Sequence, residues 1–436
     1  MDDRYSKNKK KSNKKKKNNG GKKKSNNNSK ISAEQKLHNH VYDWVFHDSI
    51  SPPASSVITT CADDFGVQRS FVGKVVFELH SHTICSDGYL SPTALVQRAH
   101  RNGVNVLALT DHDTMAGIPE ASEAARKLGI RLIPGVEIST IYTPSEESGN
   151  EEPVHVLAYY GSCGPSRCEE LENCLANIRE GRYLRAKNML LKLSNLNMPL
   201  KWENVVKIAG NGVAPGRLHV ARAMVEAGYV ENLKHAFSRY LYDGGPAYST
   251  GNELNAEEAV ELICQTGGVA ALAHPWALKN PVGVIRRLKA AGLHGIEAYR
   301  SDGKLSAFSD LADTYGLIKL GGSDYHGKGN HDESDLGSVN LPVTALHEFL
   351  KLARPIWCDA VKSILQKFAE DPSDANLEKL ARYGKIKNLN GSLNSGKNVV
   401  ELCLSSWLLR EERQGIEFEN LRLKLSHAEG AVMAQL

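Results

Sequence analysis

From Val75 onward, short β-branched runs alternate with amphipathic segments of helical spacing, and this rhythm constrains the fold more than any other feature. The runs are Val75–Phe77, Val104–Leu109, Ile130–Ile138, Val154–Tyr159, Gly268–Ala273, Gly295–Ala298 and Ile318–Leu320. Between them the spacing predicts helices over Pro92–Arg101, Pro119–Leu128, Ala256–Thr266, Val284–Ala291 and Ser306–Tyr315. Each of these ends at or just before a glycine (Gly103, Gly129, Gly267, Gly292, Gly316), the residue that stops a helix in the left-handed conformation. Strand alternating with helix argues for the α/β class and a parallel sheet, open or closed into a barrel.

One interval breaks the rhythm. Residues 161–255 have helical periodicity and little strand character, and read as a helical insertion within a domain spanning 75–368. Residues 31–74 read as a weakly ordered lead-in, and 369–436 as a polar helical appendage. Residues 1–30 hold 12 Lys and 1 Arg against 2 Asp, so they carry +11 while the remaining chain carries −7. Such a segment has too little apolar surface to offset the entropy of ordering, and is expected to be a disordered basic tail. Its chemistry allows nuclear import or weak nucleic-acid contact through phosphate charge, and equally a solubilising role.

Some function classes are excluded. No stretch approaches the ~18 consecutive apolar residues of a membrane span, and the start of the chain lacks the apolar run of a secretory leader. The eight cysteines contain no C-x-x-C pair, which is neither a disulfide framework nor a zinc ribbon. The expected location is intracellular, cytoplasmic or nuclear.

The polar signal collects at the strand ends. His80-Ser81-His82 closes the first run, Thr110-Asp111-His112-Asp113 the second and Pro134-Gly135-Val136-Glu137 the third. His155 lies in the fourth, Ala273-His274-Pro275 ends the fifth, and Gly322-Ser323-Asp324-Tyr325-His326 follows the last. Taken singly, His155 reads as a core histidine, Asp87 before Gly88 as a turn residue, and Asp111 and Asp113 as helix caps. Together they do not, because catalytic groups of α/β barrels come from the C-terminal ends of several strands. An H-x-H at a strand end puts both imidazoles on one face, and Asp324-x-His326 repeats that spacing.

Six histidines (80, 82, 112, 155, 274, 326) with Asp87, Glu137 and Asp324 make nine donors, too many for one or two ions with open positions. Three divalent ions would share them, and imidazole with carboxylate suits Mn, Fe or Zn. Three such ions against three carboxylates leave a net positive site that favours a phosphorylated substrate. Metal-generated hydroxide attacking phosphorus, with no protein nucleophile, is the chemistry such a site supports.

The motifs in combination resemble the PHP (polymerase and histidinol phosphatase) superfamily over about residues 75–345. The branch they resemble is the trinuclear one that includes 3′,5′-nucleoside bisphosphate phosphatases and 5′→3′ exoribonucleases of short RNA. The resemblance implies a distorted (β/α)7 barrel of PHP type with a helical insertion, and manganese as the usual metal. It implies that His80 and His82 share one ion with Glu137 and Asp324. Asp87, His112 and His326 would hold a second ion, and Glu137, His155 and His274 a third. It also points to Gly216-Arg217-Leu218-His219 as a substrate-contacting segment, with Arg217 and His219 as phosphate binders; an arginine at a helix start is placed to clamp phosphate. Gly244–Tyr248 departs from that branch, which often has a lysine where Gly245 stands.

The expected function is therefore metal-dependent hydrolysis of nucleotides such as 3′,5′-nucleoside bisphosphates, or of short 5′-phosphorylated RNA. The rival readings are a histidinol-phosphate-type phosphatase and a catalytically weak PHP module that binds RNA or serves as a scaffold. Nothing in the sequence decides the oligomeric state.

Overall fold

The computed structural model describes residues 32–46, 74–144, 151–371 and 407–421, apart from gaps at 211, 252, 302–306 and 330–332, with a few positions at 373–383 and 423–424. The basic tail of residues 1–30 lies outside the described residues, as does most of 369–436.

The strands are β1 (Phe77–Glu78), β2 (Val106–Leu109), β3 (Arg131–Tyr142), β4 (Glu152–Tyr159), β5 (Leu254–Asn255), β6 (Val269–Leu272), β7 (Gly295–Glu297) and β8 (Ile318–Leu320). They form one sheet in the order β1-β2-β3-β4-β6-β7-β8, with β5 pairing on β3. The sheet curls until its two edges approach: beyond β1 and β8, Ser81 bridges Tyr325 in parallel. This α/β architecture brings the C-terminal ends of β1, β2, β6, β7 and β8 to one place, beside the middle of β3 and the first half of β4.

Strict parallel alternation is corrected at β4, which pairs antiparallel with both β3 and β6. The reason is connection length: only residues 143–151 join β3 to β4, whereas a parallel crossover needs about a dozen residues or more. The pair forms a long hairpin instead.

The helices on one side of the sheet are α2 (Pro92–Arg101), α3 (Ile118–Leu128), α8 (Ala256–Gln265), α9 (Pro281–Ala290) and α10 (Phe308–Tyr315). Their five stop glycines all have positive φ, from 59° at Gly316 to 108° at Gly292. Strand residues alternate between two cores, as a period of two dictates. In β2, Leu107 and Leu109 pack under these helices with Leu95, Ile118 and Val260. Val106 and Ala108 face the other way, onto Phe349 and Trp357 of the long helix α11 (Val343–Glu370). Trp357 is fixed there by donating its indole N–H to Tyr159 O at 3.0 Å.

The expectation of a weakly ordered lead-in is corrected over Ala33–Phe46, which form helix α1. Val41 and Val45, one helical turn apart, insert into the α11 core and supply the burial that holds the segment.

Between β4 and β5 run α4 (Cys168–Asn195), α5 (Trp202–Ala209), α6 (Arg217–Glu226), α7 (Leu233–Ala236) and a π-helical turn at Phe237–Leu241. The first half of α4 buries Leu171, Leu175 and Ile178 in the sheet core. Its second half buries Met189 and Leu193 with Val220 and Met224 in a separate helical cluster. One 28-residue helix thus holds this cluster against the strand ends. Of the described cysteines, Cys85, Cys168, Cys174, Cys264 and Cys358 are free.

Candidate metal centre

The segments after β1, β6 and β8 deliver their side chains through backbone that the local sequence forces, while Glu137 and His155 project from within β3 and β4. His80 and His82 follow β1, where the chain passes against Gly322; a Cβ at 322 would fall on the backbone nitrogen and Cα of His80. His274 (φ 28°), Asp324 (φ 51°) and Asp113 (φ 54°) adopt the left-handed region, which non-glycine residues rarely occupy. Only one other described non-glycine residue does so, so the strain is concentrated at the site.

Glu137, in the middle of β3 and buried, is the hub. Its Oε2 lies 3.1 Å from His80 Nε2, 3.2 Å from His82 Nε2 and 3.3 Å from His112 Nδ1. Its Oε1 lies 2.9 Å from His155 Nδ1 and 3.0 Å from His274 Nε2. Asp324 Oδ1 is 3.2 Å from His82 Nε2 and 3.4 Å from His80 Nε2. Asp87 faces His326 Nε2 at 3.2 Å and His112 Nε2 at 3.9 Å. All nine residues singled out from sequence are therefore brought together.

Several of these contacts are close without being hydrogen bonds. Both ring nitrogens of His82, His112 Nδ1 and Asp87 Oδ1 are buried and complete no hydrogen bond. Donors converging on a shared point at such spacing fit a metal shell: ligands each about 2.1 Å from an ion stand about 3.0–4.2 Å apart. Three groups satisfy this closeness among the described residues: His80-His82-Glu137-Asp324, His82-Asp87-His112-His326, and His112-Glu137-His155. The first matches the expected set. The second adds His82 to the expected three. The third has His112 where His274 was expected, although His274 remains bonded to Glu137.

The electrostatics match that geometry. Burial opposes charge on His80, but Glu137, Glu297 and Asp324 outweigh it and hold its pKa well above the usual imidazole value. Burial likewise opposes charge on His82, and the contacts with Asp324 and Glu137 push it up to about 10. His112, where burial wins, is brought down to about 3. Against their own burial, neighbouring imidazoles hold Asp87, Glu137 and Asp324 below the usual carboxylate range. Without cations the imidazoles must supply the positive charge that divalent ions supply when bound.

Three supporting carboxylates were not singled out from sequence as part of the site. Glu297, at the end of β7, lies 3.1 Å from His80 Nδ1 and accepts the His274 backbone N–H at 2.6 Å, so His80 Nε2 is turned to the centre. Asp111, read from sequence as a helix cap, instead accepts from Thr83 N, Thr83 Oγ1 and Ser86 Oγ at 2.6–2.7 Å and clamps the loop that carries Asp87. Asp113, also read as a cap, accepts from Ser139 N at 2.7 Å and pairs with buried Arg182.

A 180 Å³ cavity opens beside the centre, lined by Asp87, His112 and His155 together with Arg182, Arg217 and the Arg185–Glu253 pair. Arg217, the first residue of α6, is paired with Asp243, its guanidinium carbon 5.5 Å from the Tyr248 ring centre. Buried His219 accepts from Gly216 N through Nδ1 at 2.9 Å, and burial lowers its pKa to about 4. Arg182 and Arg185 were missed, though Arg179, Arg182 and Arg185 recur every third residue on α4, a spacing that marks one helical face. At Gly245 a Cβ would sit 2.7 Å from Tyr240 O, so the backbone fills the place of any side chain.

Strand-end imidazoles and carboxylates around a cationic cavity define the class, a metal-dependent phosphoesterase of α/β architecture. The comparisons agree. A family model described as PHP domain matches residues 78–291. The chain is 32% identical over 296 residues to the 3′,5′-nucleoside bisphosphate phosphatase of Chromobacterium violaceum, covering 66% of this chain and 98% of that protein. It is 34% identical over 261 residues to the 5′-3′ exoribonuclease Rnm of Salmonella typhimurium, covering 58% of this chain and 85% of the relative. A structure from Bifidobacterium adolescentis, described as that of a metal-dependent phosphoesterase, superposes with TM-score 0.54 at 29% identity, over 64% of this chain and 96% of that one. The chain belongs to the PHP family.

Proposed function

We propose that this chain hydrolyses phosphoric esters of nucleotides, with nucleoside 3′,5′-bisphosphates and short 5′-phosphorylated RNA as its substrate class, at a centre of three divalent cations. The observation that carries the reading is the convergence of five imidazoles on Glu137 alongside buried donors that make no hydrogen bond. His80, His82, Glu137 and Asp324 would hold one ion. Asp87, His112 and His326 would hold a second, and Glu137, His155 and His274 a third. Manganese suits this donor set, with iron and zinc as the other candidates. Bound there, the ions supply Lewis acidity toward phosphoryl oxygens and acidify water for displacement at phosphorus.

The chain's own residues do the positioning. Glu297 fixes the His80 ring, and Asp111 holds the loop that presents Asp87. Arg217, at the cavity wall and half buried, is placed to take a second phosphate through paired charge-assisted bonds once it turns from Asp243. His219 stays neutral because it is buried, and with Nδ1 committed to Gly216 it offers Nε2–H to a phosphate oxygen. The basic residues of 1–30 would add sequence-independent attraction for longer RNA.

A substrate panel on manganese-reconstituted protein tests the reading. Nucleoside 3′,5′-bisphosphates and short 5′-phosphorylated RNA are expected to be cleaved faster than mononucleotides. Preference for histidinol phosphate would move the chain to the histidinol-phosphate type. No hydrolysis with retained RNA binding would make it a scaffold.

A further inference from the structure

Five imidazoles of the centre, His80, His82, His112, His155 and His274, close a circuit with neighbouring centroids 4.8–6.0 Å apart. His326 stacks on His82 at 4.3 Å. Two of these histidines, His274 and His326, each have an exposed aromatic ring beside them with a guanidinium over it. Trp276 follows His274, its ring 6.4 Å from that imidazole and 4.8 Å from Arg300 Cζ. Tyr89 donates its backbone N–H to His326 O at 2.7 Å, and Arg222 Cζ lies 4.1 Å from its ring centre. Arg222 is tied to the centre as well, donating to Asp87 O at 3.1 Å.

Neither ring is used for packing in the ordinary way. Trp276 is 38% exposed and Tyr89 44%, although large aromatic rings contribute to stability mainly by being buried. Both stand on the short segments that follow β6 and β1, beside residues that converge on Glu137 or Asp87. An exposed ring backed by a guanidinium is a flat, polarised surface, and single-stranded bases stack on such rings and on arginine planes.

We propose that Trp276 and Tyr89 are two base platforms of the metal centre, one beside His274 and one beside His326, and that the chain prefers a phosphodiester with a nucleoside on either side. The inference rests on the reading that this centre cleaves phosphoric esters. A short single strand with its two bases splayed puts the linking phosphate between the platforms. A mononucleoside bisphosphate has one base and occupies only one of them. Arg222 and Arg300, each behind its ring, add positive charge along the path of the backbone.

The test uses the manganese-loaded full chain and a 5′-phosphorylated diadenosine whose linkage is a non-hydrolysable methylene phosphonate. 2-Aminopurine replaces either adenine, because its fluorescence is quenched on stacking. Wild type is expected to quench both positions. Trp276→Ala should lose quenching at one position and Tyr89→Ala at the other, each with a Kd raised about tenfold. Trp276→Phe, which keeps a ring, should retain most of the quenching and shows that the loss is not a folding defect. Bases that remain fluorescent when bound to wild type, or alanine variants that bind and quench as wild type does, would overturn the proposal. A protein that quenches both bases yet cleaves no phosphoric ester would refute the phosphoesterase reading and leave the platforms standing. One that cleaves nucleotides with the alanine variants unaltered would refute the platforms alone.

Discussion

Glu297→Gln changes one atom at a carboxylate that touches no substrate and is outside the nine-residue donor set. Its two oxygens serve different partners, His80 Nδ1 at 3.1 Å and the His274 backbone N–H at 2.6 Å. A glutamine keeps the shape but has one acceptor oxygen, so one of the two partners meets an amide NH2 instead. A hydrogen bond to a charged group contributes about 1.5–3 kcal/mol, and about 1.36 kcal/mol is a factor of ten. The expected loss of manganese affinity is therefore about 10–100-fold, the range typical of partners that orient a metal-binding histidine. Competition against a fluorescent chelator measures it directly, and the steady-state rate at limiting metal should fall in parallel. With chelator present, the melting temperature should also drop, because Glu297 pairs with a buried imidazole and the substitution leaves one of its two partners unsatisfied. A change in metal affinity below about threefold, with wild-type turnover, would refute the assignment of Glu297 as the group that orients His80.

Arg217→Ala should raise KM for bisphosphates and short RNA by about one to two powers of ten while barely affecting p-nitrophenyl phosphate, since the lost bonds are to a phosphate other than the one cleaved; equal losses on both would place Arg217 at the reacting phosphate. In chelator, the raised His82 contributes stability fully present below its unfolded value near 6.5 and lost as pH rises toward about 10, so urea midpoints should fall across that window. Saturating manganese should flatten that fall, because bound imidazoles are already neutral. Deleting residues 1–30 removes +11 and should lower both the affinity for longer RNA and its salt dependence, with small-substrate turnover unchanged.

The cluster of imidazoles and carboxylates was legible in the sequence because the fold writes it locally. His80-x-His82 and Asp324-x-His326 each sit where an apolar run stops, and a strand end needs no distant information to be recognised. The helices were legible for the same reason, each closed by its own glycine. Glu297 was not legible, since its meaning lies in His80, 217 positions away, and Gly295–Ala298 reads simply as a strand. Asp111 and Asp113 carried cap signatures before α3 but bond across strands to Thr83 and Ser139. The direction of β4 was a matter of counting loop residues. The helix α1 hid in a polar lead-in because only two of its residues, Val41 and Val45, are fully buried.

Manganese titration of chelator-stripped protein, with bound metal and phosphate release from a nucleoside 3′,5′-bisphosphate followed together, tests the central claim most directly. Activity is expected to be absent without metal and to rise to a plateau as occupancy passes two and reaches three ions per chain. Hydrolysis that persists in the stripped protein, or a plateau at one ion, would contradict it.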